Sequence, residues 1–162
     1  MRLQLSSLAP PELLRLHASI GEELRNRGIV RSSNNPVGDF AEYLFCKAFG
    51  WTQAGNSAKS ADALCSAGRL YQVKSRRPTR HNSSRQLSAI RDLDKGGFDY
   101  LAGVIFSEDY SVERAAIIPY DLVLANASYV ERTNSWKFYL RDSVWDWPDV
   151  EDVTTQVRAA CD

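Results

Sequence analysis

The chain has 162 residues, 44% of them hydrophobic and 25% charged, and its formal net charge is zero. That composition suits one soluble domain, which at this length buries roughly 70% of its unfolded surface without help from disulfides or a structural metal. No apolar run approaches the ~18 residues of a spanning helix, and Cys46, Cys65 and Cys161 with His17 and His81 show no zinc-ligand spacing.

The first residues carry no apolar segment of signal-peptide length before Pro10 and Pro11, so a cytoplasmic, non-membrane protein is expected. Pro10-Pro11-Glu12 opens a helix, Leu13, Leu14, Leu16, Ile20 and Leu24 form its apolar stripe, and Gly28 is a fitting stop. After the polar run Arg31-Ser32-Ser33-Asn34, Asn35 caps a second helix that Pro36 begins and Gly50 ends. Its apolar residues, Val37, Phe40, Ala41, Leu44, Phe45 and Ala48, recur at helical spacing. At about 100° per residue, Asp39 falls on the solvent side and Glu42 at the rim of the stripe.

Three strands follow: Trp51 to Ala54, Ala61 to Cys65 and Leu70 to Arg76, the last two joined by the turn Ser66-Ala67-Gly68-Arg69. Alternation puts Gln72 and Lys74 on one face of the third strand. A helix is expected from about Ser84 to Asp94 with Leu87, Ile90 and Leu93 inward. Strands are expected over Asp99 to Ser107, Arg114 to Ile118 and Trp136 to Arg141. Short helices are expected over Tyr120 to Asn126 and Val150 to Ala160. Helices then flank a mixed sheet of about five or six strands, an α/β layered domain.

Charge is unevenly placed. Lys59, Arg69, Lys74, Arg76, Arg77, Arg80, Arg85 and Arg91 face Asp62 alone between residues 59 and 91, whereas the chain from Asp142 holds six acids and only Arg158. A concentrated basic segment is the footprint of a polyanion partner, unless it is a solvated loop paired with the acidic tail. Phosphodiester hydrolysis needs hard oxygen ligands around a divalent cation. Asp62, Glu42, the Gln72 amide oxygen and the Val73 carbonyl are candidates for that set, with Lys74 to orient or deprotonate water. Lys59, Arg76, Arg77, Arg80 and Arg85 are the candidate phosphate contacts. Trp145 and Trp147 are more simply packing residues than an interface.

The order and spacing of Glu42, Asp62, Gln72 and Lys74 resemble the PD-(D/E)xK, or restriction endonuclease-like, nuclease superfamily. The resemblance runs from the helix at Pro36 through Asp62 and the strand Leu70 to Arg76 to the elements that follow. It implies a three-layer αβα core with a mixed central sheet, formed by helix, three strands, helix and strand. It also implies DNA as substrate, Mg²⁺ (or Mn²⁺) as cofactor, and a homodimer for cutting both strands. By position Glu42 matches the helical acid, Asp62 the strand acid and Lys74 the lysine. Gln72 stands where an acid is usual, as in members similar to Mrr-type enzymes, and Ala61 stands where Pro often precedes the Asp. The whole of 1–162 then reads as one domain: an N-terminal helix over 1–30, a nuclease core over 36–118 and a C-terminal extension over 119–162. The alternatives are a nucleic-acid-binding module without catalysis, or a protein-interaction subunit working through its acidic tail.

Overall fold

The computed structural model describes residues 4–55 and 60–162. Helix α1 (Pro10–Asn26) starts at its two prolines, with the Glu12 carboxylate accepting from Ala9 N–H at 2.8 Å. Its apolar stripe is not a core face. No residue of α1 is buried, and Leu14 is 70% exposed. One side of the helix, with Ile20 and Leu24, instead lines a groove of about 740 Å³ shared with Ile29, Val30, Phe40 and Tyr110.

Helix α2 (Val37–Phe49) forms where the apolar spacing places it. The Asn35 side chain accepts from Val37 N–H, and Gly50 closes the helix in the left-handed conformation at φ 65°. Strands β1 (Thr52–Gln53), β2 (Ala63–Leu64), β3 (Leu70–Arg76), β4 (Tyr100–Phe106), β5 (Val112–Pro119) and, after further elements, β8 (Glu151–Asp152) make one sheet in the order β1-β2-β3-β4-β5-β8. Only β3 and β4 are parallel; the other pairs are antiparallel. The described residues therefore form an α/β protein with a mixed six-stranded sheet and four α-helices, compatible with a three-layer αβα core. Helix α3 (Tyr120–Asn126), the hairpin β6 (Ser128–Val130) and β7 (Ser135–Lys137), and helix α4 (Thr154–Ala159) complete it.

Strand alternation divides the core in two. Tyr71, Val73, Ala102, Val104, Phe106, Ala115 and Ile117 pack under Ala41, Leu44 and Phe45 of α2 and Val157 of α4. Leu101, Ile105, Ala116 and Ile118 face Leu87, Ile90, Leu93, Val123, Phe138 and Leu140. Aromatic contacts pin α2 along its length: Phe40 stacks on Phe106 with centroids 5.4 Å apart, and Phe45 stacks on Trp51, which lies 3.8 Å from Tyr71. That leaves little rotational freedom for the helix and sets where Glu42 points.

The segment from Ser84 to Asp94 does not form the expected α-helix. Leu87, Ile90 and Leu93 are buried as expected, but Leu87 and Ile90 lie in an irregular run with isolated bridges and Leu93 begins a 3-10 turn over Leu93–Lys95. Leu87 N–H donates to Phe138 O, and Ile90 exchanges backbone hydrogen bonds with Trp136. Local side chains also compete for the backbone: Asn82 Oδ1 accepts from Ser84 N–H, and Ser84 Oγ accepts from Gln86 N–H. An apolar residue every third position fits such a rung as well as it fits a helix. The strand expected over Trp136 to Arg141 is shorter for the same reason, because its edge bonds are shared with this run. The terminal segment from Val150 is likewise divided between β8 and α4, with the Asp152 carboxylate accepting from Thr154 N–H at the start of the helix. Trp145 and Trp147 are packing residues. The Trp145 indole donates to Ala115 O under the Arg114 guanidinium, and Trp147 meets Phe138 edge-on. Among the described residues no helix is long and apolar enough to cross a membrane.

If the crossover is core-bearing, Leu87→Ala should destabilise the fold by about 2–5 kcal/mol, the range for emptying a buried leucine site. Urea denaturation measures this; a change under about 1 kcal/mol would show that the segment is a surface loop.

Candidate functional site

Strand β3 has a neighbour on both sides only at its start. Ala63 and Leu64 pair with Tyr71 and Leu70, and Asp62 N–H still donates to Tyr71 O at 2.8 Å; beyond that β2 turns away. The next N–H on this edge, Val73, donates to Asp62 Oδ2 at 2.8 Å. A side chain thus continues the ladder where the backbone has left it. In an extended strand a residue's N–H and C=O point to the same edge, so the Val73 carbonyl also faces this opening.

Glu42 approaches the opening from α2, on the sheet face that carries Tyr71 and Val73. Lys74 approaches from the other face, its Nζ donating to Ala89 O at 3.0 Å. The three groups act on one another's charge. Burial, then repulsion from Asp62, pushes the Glu42 carboxyl up to about 7, with Arg31 and Lys74 pulling the other way. Burial also raises the Asp62 pKa, opposed by the Val73 N–H and by Lys74 and Arg31. Burial lowers the Lys74 ammonium pKa, partly offset by Asp62 and Glu42. Glu42 from α2, Asp62 from the bend just before β2 (short of the expected strand Ala61 to Cys65) and Lys74 from β3 therefore act on one another at one edge.

Gln72 lies on the Lys74 face of β3 and is buried, and its Oε1 has no hydrogen-bond partner. A buried carbonyl oxygen left without a donor costs about 1–3 kcal/mol, so its natural complement is a cation or a donor. Two carboxylates and this amide oxygen are hard donors that fit Mg²⁺ or Mn²⁺. The set is lean: among the described residues no group of three or more His, Cys, Asp or Glu stands together to hold an ion.

Two residues escaped the sequence reading. Arg31 pairs with Glu42, its Nη2 against Oε2. Asp39 is not a solvent-side residue. Its Oδ2 accepts from Arg31 N–H at 2.9 Å, Ser32 N–H at 3.1 Å and Ser32 Oγ at 3.2 Å. Burial works against ionising Asp39, but these donors hold its carboxyl below the usual range. No periodicity marks Arg31, because it lies in a loop; its role comes from that loop folding back over the first turn of α2.

The basic candidates divide. Arg76 Nε donates to Ser84 O, and Arg77 donates to Glu108 O while lying 4.4 Å over the Tyr110 ring. Arg80 donates to His81 Nε2. Arg85 forms ion pairs with Glu113 and Asp142, and Arg114 also reaches Asp142. Part of the basic segment is thus paired with the acidic tail. Lys59 lies outside the described residues. No protein-family model matches the chain, and no curated protein matches it either.

The Glu42 carboxyl, at about 7 against an ordinary 4.5, keeps its proton more firmly in the folded chain than in the unfolded one. Its contribution to stability is fully present below about 4.5 and is lost as pH rises through about 7. Glu42→Gln, which stays neutral, should escape that loss. Allowing for solvent at the rim, the gain over wild type at pH 8 in chelator is on the order of 1 kcal/mol, roughly 2–4 °C in Tm, and vanishes near pH 4.5. Parallel melting curves for the two proteins across this range would contradict it.

Proposed function

We propose that the protein is a divalent-metal-dependent deoxyribonuclease with a restriction endonuclease-like core. The observation that carries this reading is the meeting of Glu42, Asp62 and Lys74 at the open edge of β3, with Gln72 Oε1 buried and unpartnered on the Lys74 face. The element order supports it: α2, then β1, β2 and β3, then β4 parallel to β3. The core departs from the family pattern between β3 and β4, where an irregular crossover replaces the second helix.

Asp62, Glu42, Gln72 and the Val73 carbonyl would hold Mg²⁺ or Mn²⁺. The bound ion would neutralise charge on the scissile phosphate and acidify a water. Asp62 needs little rearrangement for this role, since the Val73 N–H already fixes its carboxylate. Lys74, anchored by Nζ at Ala89 O, would orient the attacking water, and its lowered pKa makes the neutral amine that could accept the water's proton easier to reach than in an exposed lysine. Arg76 ends β3, Arg77 and Arg80 follow it, and the three supply phosphate contacts along the strand's exit. A duplex needs no enclosed pocket, which suits a shallow site on a sheet edge. Cutting both of its strands would take two copies of the chain.

Lys74→Ala and Asp62→Ala should each lower Mg²⁺- or Mn²⁺-dependent nicking of supercoiled plasmid by about 10²–10⁴-fold. Cutting that survives both changes would remove the assignment. Arg80→Ala should flatten the dependence of log K on log salt by about 0.9, the share of one phosphate contact, whereas Arg85→Ala should leave the slope unchanged. Equal effects of the two changes on that slope would show that the ion-paired Arg85 also binds DNA.

One observation favours a second reading, a DNA-binding module without catalysis: the site has two carboxylates rather than three, and one of them is already paired with Arg31. Calorimetry separates the two. Mn²⁺ binding lost in Asp62→Ala supports the nuclease, and its absence in wild type supports the module.

A further inference from the structure

The carboxylate of Glu42 already has a positively charged partner. The Arg31 guanidinium reaches it from the loop before α2. The loop's backbone is tied down separately, by the three hydrogen bonds into Asp39 Oδ2 from Arg31 N–H, Ser32 N–H and Ser32 Oγ. The two ends of Arg31 are therefore held differently. Its backbone is fixed to α2, while its side chain is 51% exposed on a flexible stem, against 15% for the Glu42 side chain it meets. The guanidinium can leave the carboxylate without moving the loop.

The charges give a reason for this arrangement. Glu42 and Asp62 put two carboxyl groups at one half-buried edge, and the side chain that pairs directly with Glu42 is Arg31. The Arg31 guanidinium supplies positive charge at the Glu42 carboxylate in the metal-free protein. When a divalent ion shares the two carboxylates, a guanidinium at the same oxygen meets like charge at contact distance, which is unfavourable at any effective dielectric.

We propose that Arg31 is a built-in counter-ion that occupies Glu42 in the resting protein and yields it to the divalent cation. The proposal rests on the metal-dependent reading above. Once released, the guanidinium stays within its own side chain's reach of the open edge. An incoming phosphate is there to accept it, so Arg31 exchanges a carboxylate partner for a phosphate one and remains paired throughout.

The test is Mn²⁺ binding to the full chain by calorimetry, without DNA, for wild type, Arg31→Gln and Arg31→Lys. Arg31→Gln removes the competing charge and should bind Mn²⁺ roughly three- to tenfold tighter than wild type. Arg31→Lys keeps the charge and should stay near wild type. Wild type that binds Mn²⁺ with Arg31→Gln equal or weaker overturns this proposal and leaves the metal site standing. So does Arg31→Lys tightening as much as Arg31→Gln, since lost packing rather than lost charge would then be the cause. Wild type that binds no Mn²⁺ overturns both. Independently of any variant, the Arg31 guanidinium NMR signal in wild type should move on saturation with Mg²⁺; a signal that stays in place would sink the exchange.

Discussion

A single vacancy in the hydrogen-bond ladder organises this molecule. β2 accompanies β3 for two residue pairs and then departs, leaving the β3 edge open from Gln72 onward. Such an edge invites pairing with another chain unless it is covered or charged. Here the Asp62 carboxylate closes the first open position at Val73. The capped edge is not simply protected. It becomes the place where a carboxylate, a backbone carbonyl and the flanking side chains of β3 are held together by the same bonds that hold the sheet.

The site inherits its electrostatics from that position. It lies at the sheet edge, close enough to the core to be partly desolvated. Desolvation disfavours each charged form, and the groups respond as mutual partners: two acids with raised pKa values and a lysine with a lowered one. Perturbation of this kind from burial plus specific neighbours is a mark of functional sites, although structural ion networks produce it too. The buried Gln72 oxygen, which has no protein partner among the described residues, adds a hard donor on the Lys74 face of the strand.

The rest of the surface charge answers to a different need. The zero net charge conceals a basic segment and an acidic tail, and the fold brings part of one against part of the other. Arg85 and Arg114 meet at Asp142, beside a Trp145 ring that Arg114 covers. These residues tie the C-terminal extension to β5 and the crossover. Arg76, Arg77 and Arg80 make their hydrogen bonds to carbonyl or imidazole acceptors, so among the described residues no carboxylate compensates their charge. A count of basic residues along the chain cannot draw this line, since Asp142 lies 57 residues from Arg85.

Local sequence by itself determined what local physics controls. The helix from Val37 to Phe49 follows from apolar spacing and a glycine in the left-handed region, β3 from alternation, and the β2–β3 hairpin from Gly68. The common face of Gln72 and Lys74 follows from the pleat alone, and the rim position of Glu42 from helical periodicity. Tertiary structure alone decided the rest. It turned Ser84–Asp94 into an irregular, bridged run that ends in a 3-10 turn, because partners at Trp136 and Phe138 offered backbone bonds that a helix would have supplied internally. It gave Asp39 to a loop and Arg31 to Glu42, because that loop returns over α2 through contacts with no periodic signature. Bringing Glu42, Asp62 and Lys74 to one edge required the packing of α2 on β3 and the departure of β2, two long-range events that residue spacing does not encode.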